Sequence, residues 1–150
     1  GYNGVLDAIA IIQSGPEFER IQPGLIALRD KVSGMNPKEA SELIKAESGA
    51  LFGDIAGVNA VKSLVGKARR SLKKEKLEKG MEQLNKALVQ LDEEIAWRKI
   101  AAPTVLPVLQ SFEKDVRMTI GLRSQDRLPD YLVPRIARCR SAHRDISLNF

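Results

Sequence analysis

The sequence predicts an all-α fold, and three observations carry that prediction. Apolar residues recur at three- and four-residue steps along most of the chain. No Asn-Gly turn joins two runs that alternate with period two, so hairpins have no signal. Aromatics make up only 5% of 150 residues, and the 43% hydrophobic content is mostly Leu, Ile, Val and Ala, which suits helix packing. At this length one compact domain is the default.

The elements follow in order. A first helix is predicted over Asn3–Gln13, with Val5, Ile9 and Ile12 on one side, ended by Ser14-Gly15-Pro16. A second spans about Glu17–Ser33. Its Phe18, Ile21, Leu25, Leu28 and Val32 step by 3, 4, 3 and 4, the seam of a bundle helix. Pro23 lies inside it and is expected to kink or split it. Gly34 and Asn36-Pro37 close it. A short helix over Pro37–Ala46 follows, and Ser48-Gly49 and Gly53 to Gly57 read as connections.

The longest element is predicted from about Ile55 to Ala101. Val58, Val61, Val65, Ala68 and Leu72 keep one 3–4 rhythm, and Leu77, Met81, Leu84, Leu88, Leu91 and Ile95 keep another. Between them the step is five residues, from Leu72 to Leu77. Unbroken, such a helix would be roughly 70 Å long, so a bend near Gly80 or a projecting part is expected. Pro103 is read as its stop, with Thr104 capping the next helix and Pro107 in the first turn. On that helix Val105, Leu109, Phe112, Val116 and Ile120 face inward. Gly121 closes it and Arg123 to Pro129 form a loop. Asp130 then caps a last helix, Tyr131 to about His143, followed by a tail; the basic segment spans about 130–150.

The net charge is +5 and the pI about 9.5, a balance that favours acidic partners: nucleic acid, anionic lipid or an acidic protein surface. One cysteine, Cys139, excludes an intramolecular disulfide framework. No apolar run approaches the roughly 18 residues that span a bilayer. Val5 to Ile12 is short, contains Asp7 and lacks a basic flank, so it makes a poor signal peptide.

Catalytic and cofactor patterns fail one by one. Gly66-Lys67 suggests a phosphate loop, but that loop needs Gly at 61 and Ser or Thr at 68, where Val61 and Ala68 stand. Cys139 and His143 share a predicted helix face, yet no other Cys or His exists to complete a zinc site. Asp92-Glu93-Glu94 reads as a solvated helix face. His143 is the only histidine, and no Gly-x-Ser-x-Gly elbow accompanies it. An enzyme is not expected, nor a cofactor or a metal.

What remains is charge. From Lys62 to Lys79 there are eight cations, Lys62, Lys67, Arg69, Arg70, Lys73, Lys74, Lys76 and Lys79, against Glu75 and Glu78. The last predicted helix adds Arg135, Arg138, Arg140 and Arg144. These twelve are the candidate partner-binding residues. Nucleic acid would gain phosphate neutralisation here. No aromatics interleave for base stacking, however, and no nucleic-acid-binding signature is present. The stretch also fits a basic amphipathic helix at a membrane surface, and equally a bundle helix with one solvated cationic side.

The order of elements resembles a known family. Ile11 to Pro37, "IIQSGPEFERIQPGLIALRDKVSGMNP", and then Leu51 to Gly80, "LFGDIAGVNAVKSLVGKARRSLKKEKLEKG", are similar to the Bep intracellular delivery (BID) domain. The parts that carry the likeness are Pro16, the Gly34–Pro37 turn, Ala56-Gly57, and Lys67-Ala68-Arg69-Arg70 opening a long helix, with Arg135 to Arg144 like the family's basic tail. The match covers about residues 11–101. The 37–55 segment is shorter than the family's and lacks its tryptophan-bearing helix. Two extra residues lie between Ala56-Gly57 and Lys67.

The resemblance implies an elongated antiparallel four-helix bundle with a small helical hook. It implies a non-catalytic translocation signal of bacterial type IV secretion, read by the coupling-protein ATPase. The chain would be the terminal module of an effector, Fic toxin or relaxase. That parent would be held in the bacterial cytoplasm and then delivered into a host or recipient cell, where host proteins or membranes become further partners. Host-kinase tyrosine motifs are not evident around Tyr2 or Tyr131. The alternatives are a basic helical nucleic-acid-binding domain, or a helical adaptor acting at host membranes or host proteins.

Overall fold

The computed structural model describes residues 1–123. They form five helices: α1 (Tyr2–Gln13), α2 (Gly15–Ser33), α3 (Pro37–Phe52), α4 (Asn59–Lys73) and α5 (Leu77–Arg123). No strand occurs among the described residues, so the fold is all-α. Among them no helix is long and apolar enough to cross a membrane. The predicted last helix, with Arg135, Arg138, Cys139, Arg140, His143 and Arg144, lies outside the described residues.

The described chain divides into two compact units, one Ser14–Lys99 and the other Gly1–Gln13 with residues 100–123. In the first, α2, α3, α4 and residues 77–99 of α5 enclose one core. The seam residues of α2, Phe18, Ile21, Leu25, Leu28 and Val32, are all buried. So are Val58, Val61, Val65, Ala68 and Leu72 on the next seam, and Leu84, Leu88, Leu91 and Ile95 on α5, whereas the first two members of that predicted seam are not: Leu77 is exposed and Met81 half-buried. Each fully buried side chain of this size contributes about 1.5–3 kcal/mol of transfer free energy. Ala40, Ile44 and Phe52 complete the core from α3.

Local chemistry sets most boundaries. Asn36 caps α3, its Oδ1 accepting from the Lys38 N–H at 3.0 Å, with Pro37 in the first turn. Ser48 and Gly49 lie inside α3, which runs to Phe52 rather than Ala46. Gly53, at φ +50, ends it with its N–H on the Gly49 carbonyl. Pro23 does not split α2. It and Glu19, whose carbonyl loses a partner, are both exposed, so the freed group lies on the solvent side.

The expected single helix from Ile55 is two helices. α4 ends at Lys73, and the break is at Lys74 to Lys76 rather than near Gly80. Glu75 takes φ +60, its N–H bonds to the Leu72 carbonyl at 2.9 Å, and the Lys76 N–H bonds to Ser71 at 2.9 Å. This is the paired closure of a Schellman motif, in which the left-handed position usually holds glycine. The five-residue slip of the seam falls on this turn. Gly80 serves packing instead: a Cβ there would stand 2.6 Å from Leu72 Cγ.

Pro103 and Pro107 do not interrupt α5, and Thr104 caps nothing. Its hydroxyl donates to the Ile100 carbonyl at 2.7 Å. Both prolines are exposed and four residues apart, so the carbonyls they leave without a donor face the solvent side. In the second unit Val5, Ile12, Ala101, Leu109 and Thr119 are buried. Val105, Phe112 and Val116 are only half-buried, and Ile120 is exposed, contrary to the inward-facing set expected from spacing. Tyr2 OH donates to Glu113 Oε1 at 2.8 Å, which raises the phenol's pKa above its ordinary value.

Candidate docking surface

α4 is apolar on one side only. Val61, Val65, Ala68 and Leu72 point into the core, and α3 packs beside α4. Two buried hydroxyls fix its position. Ser41 Oγ donates to the Arg69 carbonyl at 3.0 Å, tying α3 to α4, and Ser71 Oγ donates to Gln83 Oε1 at 2.7 Å, tying α4 to α5. The outward side of α4 therefore has a defined orientation.

Of the eight cations, Lys62, Lys67, Arg70, Lys73, Lys74, Lys76 and Lys79 are exposed and Arg69 is half-buried. Among the described residues none of the eight forms an ion pair; the nearest bridge, Lys38 to Glu75 at 4.0 Å, uses the acid of the turn. Helical spacing sorts them. Lys62, Arg69 and Lys73 fall at steps of seven and four and line one flank of α4, with Arg70 beside them. Lys67 falls on the opposite flank. Lys74 and Lys76 sit in the Glu75 turn, and Lys79 in the first turn of α5. Arg70 and Lys73 occupy the last turn of α4, where the helix dipole favours cations and offsets part of their mutual repulsion.

A second constellation was missed by the sequence reading. Arg98 on α5 is 1% exposed. Its guanidinium carbon lies 3.8 Å from the Phe18 ring centroid and 4.5 Å from that of Trp97. Nη1 donates to Glu94 Oε2 at 2.5 Å and to the Glu94 carbonyl at 3.1 Å, and Nε donates to Ser14 Oγ at 3.1 Å. Ser14 Oγ in turn donates to the Ala56 carbonyl at 3.1 Å. Ser14 thus joins the start of α2 to the 53–58 connection instead of capping its helix with its side chain. Trp97 Nε1 donates to Glu94 Oε2, and Gln90 Nε2 donates to Glu94 Oε1.

Burial would raise the Glu94 carboxyl, but donors from Arg98, Trp97 and Gln90 outweigh it and hold the group below the ordinary carboxylate range. Burial pulls Arg98 down against the opposing pull of Glu94. Glu94 is therefore not part of a solvated acidic face, as the Asp92-Glu93-Glu94 run suggested; only Asp92 and Glu93 are exposed, and Asp92 accepts from Gln22. With Arg98 sealed from solvent, the cluster acts as a lock between elements and offers no opening to a ligand.

The signal for it was present. The seam Leu84, Leu88, Leu91, Ile95 continues at Arg98 with a three-residue step, and an acid stands four residues earlier. A cation on a seam position with an acid at i−4 is the pattern of a buried pair.

No aromatic side chain is exposed among the described residues: Phe18 and Phe52 are buried, and Tyr2, Trp97 and Phe112 are half-buried. Among these residues no group of three His, Cys, Asp or Glu side chains stands close enough to hold a metal ion. A depression of about 610 Å³ along α5 is lined by Leu77, Glu78, Met81, Glu82, Asn85, Lys86 and Val89. Compared with family models, curated proteins and solved structures, the chain matches none.

Proposed function

We propose that this chain is a non-catalytic docking module, a secretion signal resembling the BID domain, which directs its parent protein into a type IV secretion apparatus through the coupling ATPase. In that reading the fold is the family's antiparallel four-helix bundle with a hook. One observation carries the proposal: seven cations around α4 and its terminal turn are exposed, and none is spent on an ion pair within the described chain. Unspent charge on a firmly packed helix suits recognition by an acidic partner, because a rigid scaffold loses little entropy on docking and charge complementarity supplies rate and selectivity. The nucleic-acid alternative finds less support, since it lacks an exposed aromatic to stack on a base.

The test reverses the charges of Lys62, Arg70, Lys73 and Lys74 together. All four are exposed, so the helical circular dichroism should stay unchanged. Transfer of a fused reporter through a type IV apparatus should fall to background. Undiminished transfer by the folded variant counts against the proposal.

A further inference from the structure

Gly66 is the eighth of the 15 residues of α4, in the helix interior, where glycine is among the least favourable residues. Two other helix glycines have packing reasons, whereas Gly49 in α3 and Gly121 in α5 have open space around a would-be Cβ. A Cβ on Gly80 would meet Leu72 Cγ at 2.6 Å, and one on Gly24 would meet Leu51 Cδ1 at 2.7 Å. Gly66 has none: the nearest atom to its would-be Cβ is Arg70 Nη1, at an ordinary 3.6 Å. The fold does not require glycine there. The position lies on the cationic flank, one turn after Lys62 and one before Arg69 and Arg70, and the Arg70 guanidinium folds back over it.

We propose that Gly66 is a docking notch: it lets an acidic α-helix of the partner lie against the backbone of α4, with its carboxylates between Lys62, Arg69, Arg70 and Lys73. The inference rests on the docking reading above and names the partner's form. Lys62 to Lys73 spans roughly 16 Å of helix, about three turns of a partner helix with acids on one stripe. Charge alone does not need a glycine, because Lys and Arg tips reach a phosphate or carboxylate well out from the helix surface. Only a partner that packs against the helix itself feels a methyl group at 66. The Arg70 fork lies over this position, where a carboxylate accepts two parallel hydrogen bonds. A nucleic-acid strand, held at the ends of long side chains, would be indifferent to residue 66.

The test measures binding of two probes to the full chain at low salt: an alanine-based helical peptide of about 20 residues with glutamates on one stripe, and a single-stranded DNA of matched length. Gly66→Ala should raise the Tm by a few degrees, because alanine favours the helix. It should nevertheless weaken the peptide at least about fivefold. The Lys62/Arg69/Lys73→Glu triple variant should abolish peptide binding. If the triple loses the peptide while Gly66→Ala binds it like the wild type, the notch is wrong and the cationic docking surface stands. If the triple binds as well as the wild type, the docking surface itself is wrong. If the chain takes DNA but not peptide, with Gly66→Ala indifferent, the partner is not a helix and the inference is overturned.

Discussion

The Arg98 guanidinium lies over the Phe18 ring, its carbon 3.8 Å from the centroid, in a place where neither side chain meets water. A cation is thereby held in the core by a ring face, a carboxylate and a serine hydroxyl. Such a site is costly to break and cheaper to replace, because removing one partner leaves the other's charge buried without compensation.

Arg98→Ala should therefore cost about 3 kcal/mol, the low end of the range for a broken buried pair, since Glu94 keeps its bonds from Trp97 and Gln90. Arg98→Met loses the guanidinium over Phe18 but keeps a long apolar side chain in the core, and should cost less. Combining Arg98→Met with Glu94→Gln removes both charges and should recover part of that loss. Urea unfolding of the three variants at neutral pH measures this. An Arg98→Ala variant within about 0.5 kcal/mol of the wild type, the usual spread of surface substitutions, would show that the cluster is no lock.

The same cluster fixes an acid limit of stability. The Glu94 pKa is lowered on folding from an ordinary 4.5. In the window below that value the unfolded chain binds more protons than the folded one, so stability rises with pH there. The contribution is complete above the unfolded value and disappears as pH falls through the folded value. Arg98, also lowered but from 12.5, stays protonated across this window and adds no slope. Urea midpoints should drop as the pH falls below the ordinary 4.5 in the wild type, and drop less steeply in Glu94→Gln. Parallel slopes in the two proteins would assign the acid sensitivity elsewhere.

The contrast between these residues and the rest of the core shows what a sequence makes legible. Period alone located Phe18 to Val32 and Val58 to Leu72, and of the Leu77 to Ile95 run all but the exposed Leu77 and half-buried Met81, because burial of branched aliphatics demands the same face at every turn. Arg98 stayed hidden because its charge argues for the surface, and only its seam position argues otherwise. Pro103 and Pro107 misled because a proline's effect depends on whether the carbonyl it frees can reach water, which spacing does not report. The docking flank was legible as charge. Its division into Lys62, Arg69, Arg70 and Lys73 on one side and Lys67 on the other follows from helical spacing; what stayed concealed was the end of α4, at a glutamate where a glycine usually stands.

That glutamate and its neighbouring glycine support a paired prediction. Glu75 holds φ +60, a conformation that costs an L-residue with a Cβ about 1–2 kcal/mol. Glu75→Gly should stabilise the protein by about 1 kcal/mol once glycine's extra freedom in the unfolded chain is counted. Glu75→Asn should give part of the gain, and Glu75→Ala none. The Lys38 bridge lost in all three is exposed at 4.0 Å and contributes little. Five residues on, Gly80→Ala should act in the opposite direction. Alanine's helix preference is worth about 1 kcal/mol, but its Cβ would meet Leu72 Cγ at 2.6 Å and Cδ2 at 2.7 Å. Leu72 is fully buried and has nowhere to move, so overpacking of about 1–3 kcal/mol prevails. At Gly24 the clash is with the tip of the half-buried Leu51, which can swing aside, and Gly24→Ala should be neutral or slightly stabilising. Thermal unfolding of the three substitutions, Glu75→Gly up, Gly80→Ala down and Gly24→Ala level, tests the turn and the packing together. A Gly80→Ala variant more stable than the wild type would mean that α4 and α5 are not in contact at Leu72.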